Sequence, residues 1–425
     1  MPYPQRSITE LADLIASNTS RYNDYLVTNG IALPTHAPSE KEIPADVPEK
    51  ISGLRQQAIE ASHELHELLI GPMGVPFTAY ARSTCVMSLQ FIYTNKIGQN
   101  LAWNETTTFE EIAKESKLGL DDTTRMMRLA MANYFFAEPQ PGVVAHTAAS
   151  HAIVSNPLLN AWIGVTVEEN WSPMLRLNEA MHKWPDSEEP LQSAYCLAHG
   201  MNEMPFDVWE RDPARVQRFA SAMNFLHSDS GFQPQFMVNG YDFASLGEAL
   251  FVDVGGSTGH VIIMLAQKYP NITCIVQDLP ATVKAGKEQL PKELEERVSF
   301  MSHDFWTEQP VKGADIYYFR WVFHDWSDSL SIKLLRQLIP ALKPGARVLI
   351  NDICIPPAGV MSSYQEQRIR SLDILMKTFT NAKERSAKEW AALFAKADPG
   401  FKFGRVHLPA GAKIAIIEAK WNPVE

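Results

Sequence analysis

Seven residues, Asp253-Val-Gly-Gly-Ser-Thr-Gly259, constrain this chain more than any others, because they separate a strand-like run from a helix-like one. The run LFVDV (250–254) is apolar and rich in β-branched residues, and a helical pattern follows from His260 to Lys268. Glycine in the intervening turn lets the main chain approach a ligand with no Cβ in the way. Asp278, 23 residues after Gly255, ends the next strand-like run, ITCIVQDL (272–279). A carboxylate at that place accepts hydrogen bonds from the two hydroxyls of a ribose and disfavours a 2′-phosphate. The rival frame, GxGxxG, would read Gly255-Gly-Ser257-Thr-Gly-His260, in which two of the three required glycines are absent.

Beyond this turn the strand and helix patterns keep alternating. VSFMSHD (298–304) and ADIYYFR (314–320) precede a helix from Ser329 to Leu342; KPGARVLINDICI (343–355) precedes one from Tyr364 to Phe379, and KIAIIEAKW is a last strand. Such alternation predicts an α/β domain with a parallel sheet and helices on both faces, over 246–425. Ligands then sit at the C-terminal ends of the strands.

A chain of 425 residues is too long for one core, and the first part, 1–245, reads differently. Helical spacing is predicted over 7–26, 49–70 and 77–97, with a proline- and charge-rich linker at 33–48. Thr108-Phe-Glu-Glu111 is a capping box, and a second helix carries Met127, Met131 and Tyr134 on one stripe. With FAEPQPGVVAHT as a hairpin, the order over about 104–150 is that of a winged helix. Charge argues against DNA: from Glu105 to Arg128 there are four basic residues against six acidic ones, and the whole chain carries −11. The module is expected to pack and dimerise. No apolar run is long enough to span a membrane and the start lacks a secretory h-region. The cysteines Cys85, Cys196, Cys274 and Cys354 lack CxxC spacing. A cytoplasmic enzyme with free thiols fits these features, and no carboxylate cluster argues for a metal.

VDVGGSTG, QDLP, HDF, YYFRWVFHDW, LKPGARVLINDICIP and AKERSAKEW occur in that order. Together they resemble the plant caffeic-acid-type and fungal small-molecule O-methyltransferases. The resemblance covers the catalytic half and extends into the first half through the winged helix and AHGMNEMPFDVWERDP. It implies a Rossmann-like methyltransferase domain with an extra antiparallel strand, S-adenosylmethionine as cofactor, and an N-terminal, mostly helical domain that builds an intertwined homodimer. By the same resemblance Asp253 and Gly255 line the methionine end of the cofactor, Asp278 holds the ribose, Asp304 and Phe305 border the adenine, and Gly256, Leu279 and Arg320 are also implied to bind the cofactor. Arg320 stands where the family has lysine, and Ser257 replaces its middle glycine. Trp209, Met223 and Met376 are implied to face the acceptor.

Methyl transfer from a sulfonium is an in-line displacement with a good leaving group, so the protein must align and ionise the nucleophile. A phenol with a pKa of about 10 needs a base at neutral pH, and histidine is the natural one. His324 follows the fourth strand, Asp352 lies near the end of the fifth, and Glu384 is in a later loop that can return to the same rim. The resemblance assigns His324 as base and Asp352 and Glu384 as flanking carboxylates, the family having glutamate at 352. Singly, each admits a blander reading: His324 and its neighbours a helix start capped by Asp325 or Asp328, Asp352 a surface loop residue, Glu384 a solvent ion pair with Lys383 or Arg385. Two other functions compete: a non-methylating step, pericyclic or dehydrating, on the same fold, and a DNA-binding regulator.

Overall fold

The computed structural model describes residues 6–38, 47–209, 211–228 and 231–423. The chain forms two compact units and passes between them several times. One comprises Met1–Ser172, Trp209–Leu226 and Ala358–Arg368; the other Pro173–Val208, His227–Pro357 and Ile369–Glu425.

The first unit is mainly helical. Ile8–Thr28 starts at a capping box in which Ser7 accepts from Glu10 N–H while Glu10 accepts from Ser7 N–H. The middle of the expected linker, 39–46, lies outside the described residues. The two helices expected over 49–70 and 77–97 both form within Glu49–Thr94, separated at Gly71, whose backbone (φ 70°, ψ 176°) is not helical. Pro72 follows and cannot donate a helical hydrogen bond, which explains why the break falls there. The next segment gives β1 (Thr106–Thr108), helices Phe109–Ser116 and Leu120–Ala132, then β2 (Ala137–Gln140) and β3 (Val143–Ala145). The strands form an antiparallel sheet in the order β1-β3-β2. The Thr108–Glu111 capping box forms as expected. Tyr134 does not extend the Met127 stripe: the helix ends at Ala132, and Tyr134 is exposed, with φ 64°, stacked 4.7 Å from His36.

The second unit is built on a seven-stranded sheet. Its strands are β4 (Ala249–Val254), β5 (Ile272–Asp278), β6 (Val298–Ser302), β7 (Ile316–Arg320), β8 (Arg347–Asp352), β11 (Phe401–His407) and β12 (Ala415–Trp421). A separate parallel pair joins β9 (Cys354–Ile355) to β10 (Arg385–Ser386). The sheet order is β11-β12-β8-β7-β4-β5-β6, and β12 alone runs against its neighbours on both sides. This is the Rossmann-like methyltransferase sheet with its reversed strand. Ile316, Tyr317, Tyr318 and Phe319 in central β7 are all fully buried, as expected of a strand covered on both faces. Each such side chain contributes roughly 1.5–3 kcal/mol by leaving water. The helix expected over Ser329–Leu342 runs from Asp328 to Leu338 and ends in a tighter turn at Ile339–Ala341, where Pro340 breaks it. Because β4, β5, β7 and β8 are parallel, their C-terminal ends share one rim. Asp253, Asp278, Arg320 and Asp352 all lie on it.

Candidate active site

The glycine turn after β4 is tied to β5. Gly255 and Gly256 N–H both donate to Gln277 O, at 2.8 and 3.1 Å. Gly255 has φ 74°, and a Cβ on it would lie 3.0 Å from Val322 Cγ2, so the turn sits against the segment that carries His324. A Cβ on Gly256 would fall 2.5 Å from the Asp253 carboxyl and 2.8 Å from Val276. Ser257 adopts φ 53°, a left-handed conformation costing a side-chain-bearing residue about 1–2 kcal/mol. Its N–H donates to Asp278 Oδ2 at 2.9 Å, and Leu279 N–H donates to Asp278 Oδ1 at 2.8 Å. Two main-chain bonds thus hold the Asp278 carboxylate at the end of β5, and each oxygen keeps a lone pair for a further donor.

Asp253 is buried, and its Oδ1 has no partner within the protein. Burial, and then the charge of Asp278, push its pKa up to about 8, with Arg320 acting in the opposite sense. Arg320 is also buried. It donates to Asn351 Oδ1 and Phe232 O, while its Nε has no partner. Asp304 is exposed and accepts from Trp306 N–H; Phe305 packs edge-on against Trp306 and Trp326. The turn, the Asp278 carboxylate and the unpartnered polar atoms of Asp253 and Arg320 fit a ligand with a ribose and a charged amino-acid end.

His324 lies in the tight turn Phe323–Asp325 after β7. Its Nδ1 is 3.1 Å from Glu384 Oε1, and its Nε2 is 3.5 Å from Asp325 Oδ1. A carboxylate only accepts, so Nδ1 carries the hydrogen toward Glu384 and Nε2 is the nitrogen free to exchange a proton. Burial alone would lower the histidine pKa, but Asp325, Glu384 and Asp352 outweigh it and raise it to about 10. Glu384 is itself placed by its own N–H, which donates to Asp373 Oδ1 at 2.9 Å. The solvent pairing of Glu384 with Lys383 or Arg385 does not form: Lys383 pairs with Glu389, and Arg385 with Asp328.

Asp352 is no surface loop residue; it is 0% exposed. Its Oδ1 accepts from Trp321 N–H at 2.7 Å and its Oδ2 has no partner, so it acts on His324 through its charge and not through a hydrogen bond. Burial raises its pKa to about 6. The bond it makes pins Trp321 in a left-handed conformation (φ 54°), with the indole 4.8 Å from the His324 ring and 6.0 Å from His227. Asp325, Asp373, Trp321 and Arg385 were not singled out from sequence as parts of this site. Trp321 and Asp325 fall within YYFRWVFHDW and Arg385 within AKERSAKEW, whereas Asp373 lies in none of the motifs.

Of the expected acceptor residues, Trp209 and Met223 lie in the helical unit. Trp209 is buried 4.8 Å from Phe219, and Met223 packs with Trp162 and Phe219 around Ala161, Val165 and Ala222. Met376 is half-buried on helix Ser363–Thr380, in the sheet unit. Among the described residues no group of three His, Cys, Asp or Glu could hold a metal ion, and no helix is long and apolar enough to cross a membrane.

The O-methyltransferase domain family matches residues 179–402, more than half of the chain. The chain belongs to the O-methyltransferase family. An O-methyltransferase of the grayanic acid biosynthesis cluster of Cladonia grayi is 37% identical over 420 residues, covering 98% of this chain and 88% of that one. The chlorophenol O-methyltransferase of Trichoderma longibrachiatum is 34% identical over 418 residues, covering 97% and 90%. Among solved structures, a pericyclic-reaction enzyme aligns over 97% of this chain and 100% of its own, with a TM-score of 0.70 at 21% identity, a likeness of fold alone. This O-methyltransferase therefore uses S-adenosylmethionine, the cofactor of its family.

Proposed function

We propose that this enzyme methylates a phenolic or enolic hydroxyl of a small, largely apolar secondary metabolite, with His324 as general base. The observation that carries the reading is the 3.1 Å contact of His324 Nδ1 with buried Glu384, on a segment that abuts the glycine turn. In this reading Asp253, Gly255, Gly256 and Arg320 hold the amino-acid end of S-adenosylmethionine. Asp278 and Leu279 hold its ribose, and Asp304 and Phe305 border the adenine. Bound there, S-adenosylmethionine would supply an electrophilic methyl group, with a neutral thioether as the leaving group. Glu384 fixes the imidazole tautomer so that Nε2 faces the acceptor hydroxyl, and it stabilises the imidazolium once the proton has moved. Asp352 adds charge and holds Trp321 beside the ring. Trp209, Met223 and Met376 are the candidates for apolar contact with the acceptor.

A non-methylating step is the second reading, favoured by the fold likeness to a pericyclic-reaction enzyme. A histidine held protonated could serve such a step as an acid. The carboxylate-supported base and the higher identity to named O-methyltransferases weigh toward methyl transfer. The test is incubation with S-adenosylmethionine and a panel of phenols and polyketides, read by mass spectrometry. Gain of a methyl group is expected, and His324→Ala should lose roughly 10²–10⁴ in turnover while keeping cofactor affinity. Conversion of an acceptor without methyl gain would establish the second reading instead.

We further propose that the enzyme is a homodimer formed through its helical unit. The second half of helix Glu49–Thr94 exposes Met73 (83%), Phe77 (84%) and Tyr80 (79%), more large apolar surface than an isolated helix leaves in water. Nucleic acid is not an expected partner. On helix Leu120–Ala132, Arg128 is paired with Glu138 and Arg125 lies near Asp121, so neither is a free cation for phosphate.

A further inference from the structure

Arg385 is completely buried, the only arginine or lysine with no exposed surface among the described residues. All five of its N–H donors have acceptors. Nε donates to Asp328 Oδ1 at 2.8 Å; Nη1 to Phe323 O at 3.0 Å and Lys383 O at 3.5 Å; Nη2 to Trp326 O at 2.8 Å and Ser331 Oγ at 3.1 Å. The guanidinium also lies 5.1 Å from the Trp390 ring centroid. Four of these five acceptors belong to the stretch 323–331, and two of them, the carbonyls of Phe323 and Trp326, bracket His324-Asp325.

The preceding residue, Glu384, meets His324 Nδ1. Neighbouring residues of an extended chain send their side chains to opposite faces. Here one side chain reaches the imidazole and the next reaches the main chain that carries it. Thr380 Oγ1 adds a third tie, donating to Asp325 O at 2.8 Å. A cation placed only for stability gains little from full burial, since apolar packing of similar volume serves as well. A planar fork that fixes two carbonyls and a carboxylate at once supplies geometry, which a flexible ammonium cannot.

We propose that Arg385 is a positioning residue: it clamps the turn Phe323–Asp325 so that the His324 ring is held between Glu384 and Asp325 in line for proton transfer. This rests on the reading of His324 as base. The groups facing the imidazole are Asp325 on its own turn, Glu384 with Asp373 behind it, Asp352 at the end of β8, and His227.

The test uses the full-length enzyme with Arg385→Lys, which keeps the charge and loses the fork, and Arg385→Met, which loses both. Cofactor affinity by calorimetry counts the folded sites. For Arg385→Lys we expect cofactor affinity and acceptor KM within about threefold of wild type and kcat down by about 10²-fold, the scale of an ångström-sized misplacement. The acid limb of the pH–rate profile should also move to lower pH, because a displaced ring loses its carboxylate neighbours and no longer holds its proton as tightly. A lowered melting temperature with kcat per cofactor-binding site and profile unchanged would overturn the proposal. If Arg385→Lys binds no cofactor, Ser331→Ala decides. It removes one acceptor of the fork, and the same acidward shift with a severalfold loss of kcat is expected; an unchanged profile overturns the clamp. His324→Ala at wild-type turnover would instead remove the base reading, independently of either Arg385 variant.

Discussion

The proton on His324 is held by charge from several sides. Its pKa lies near 10 because Asp325, Glu384 and Asp352 outweigh the effect of burial. The unprotonated base therefore grows in population as pH rises, and turnover should climb from neutral into alkaline pH. Only Glu384 hydrogen-bonds the ring. We expect Glu384→Gln to cost more turnover than Asp352→Asn, and to move the acid limb of the pH–rate profile to lower pH. The amide oxygen introduced by Asp352→Asn would still accept the Trp321 N–H. Asp352→Glu forces an extra methylene into a fully buried site, at about 1–3 kcal/mol, so the family residue should lower stability here. If Asp352→Asn proves the more damaging change, charge at 352 matters more than the hydrogen bond at 384. Asp253 carries a related prediction. Its folded pKa of about 8 lies above the ordinary carboxyl value, so the native state binds that proton more tightly than the unfolded chain does. The associated stability is full below about pH 4 and is lost as pH rises through 8. Asp253→Asn should then raise Tm at pH 9 while weakening cofactor binding, measurable by calorimetry at two pH values. A fall in Tm at pH 9 would mean that the carboxylate is satisfied in the native state.

At the scale of elements, the turn between β4 and helix His260–Lys268 depends on one missing Cβ. Gly256→Ala would place a carbon 2.5 Å from the Asp253 carboxyl with Val276 behind it, in a strand that cannot retreat. We expect cofactor binding to fall below detection and Tm to drop; calorimetry showing near-normal affinity would mean that the turn relaxes more cheaply than its packing suggests. Element positions were largely legible. His260–Lys268 runs between the bounds read from its spacing, and the strands around 250–254, 272–279 and 314–320 differ by a few residues at their ends. A capping box and a periodic stripe are local signals, and local signals survive into the fold. Tyr134 fell outside its predicted stripe because the helix ends at Ala132: Asn133 leaves helical geometry (φ −98°, ψ 19°) and Tyr134 itself is left-handed, which spacing cannot reveal. Strand β11 went unread because FKFGRVH has little alternation and an irregular register beside Gly404.

For the whole molecule, the exposed apolar side chains of helix Glu49–Thr94 set the prediction. Light scattering at micromolar concentration should give a dimer, and Phe77→Glu, which puts a charge on an 84% exposed position, should give a monomer that still binds cofactor. An interface of the obligate kind buries 2,000 Å² or more, roughly, and does not tolerate an unpaired carboxylate at its centre. Wild type that runs only as a monomer would exclude the proposal. Duplex DNA should show no salt-sensitive association at physiological ionic strength, given an acidic chain and paired arginines on the second helix of the β1–β3 module.

Sequence by itself determined the glycine turn and the alternating elements, because each depends on residue type and short spacing; His324 and Glu384 became candidates through the resemblance to the family. What it left open was where Asp352 goes. Aspartate is one methylene shorter than the family's glutamate, so Glu384 was expected to carry more of the contact with His324; Asp352 meets a main-chain N–H and Glu384 the ring. Arg385 looked like a solvent cation and is fully buried against five acceptors. These assignments depend on distances between segments up to 62 residues apart. Such distances are fixed by the packing of β7, β8 and the segment at β10, and no pattern confined to one segment records them.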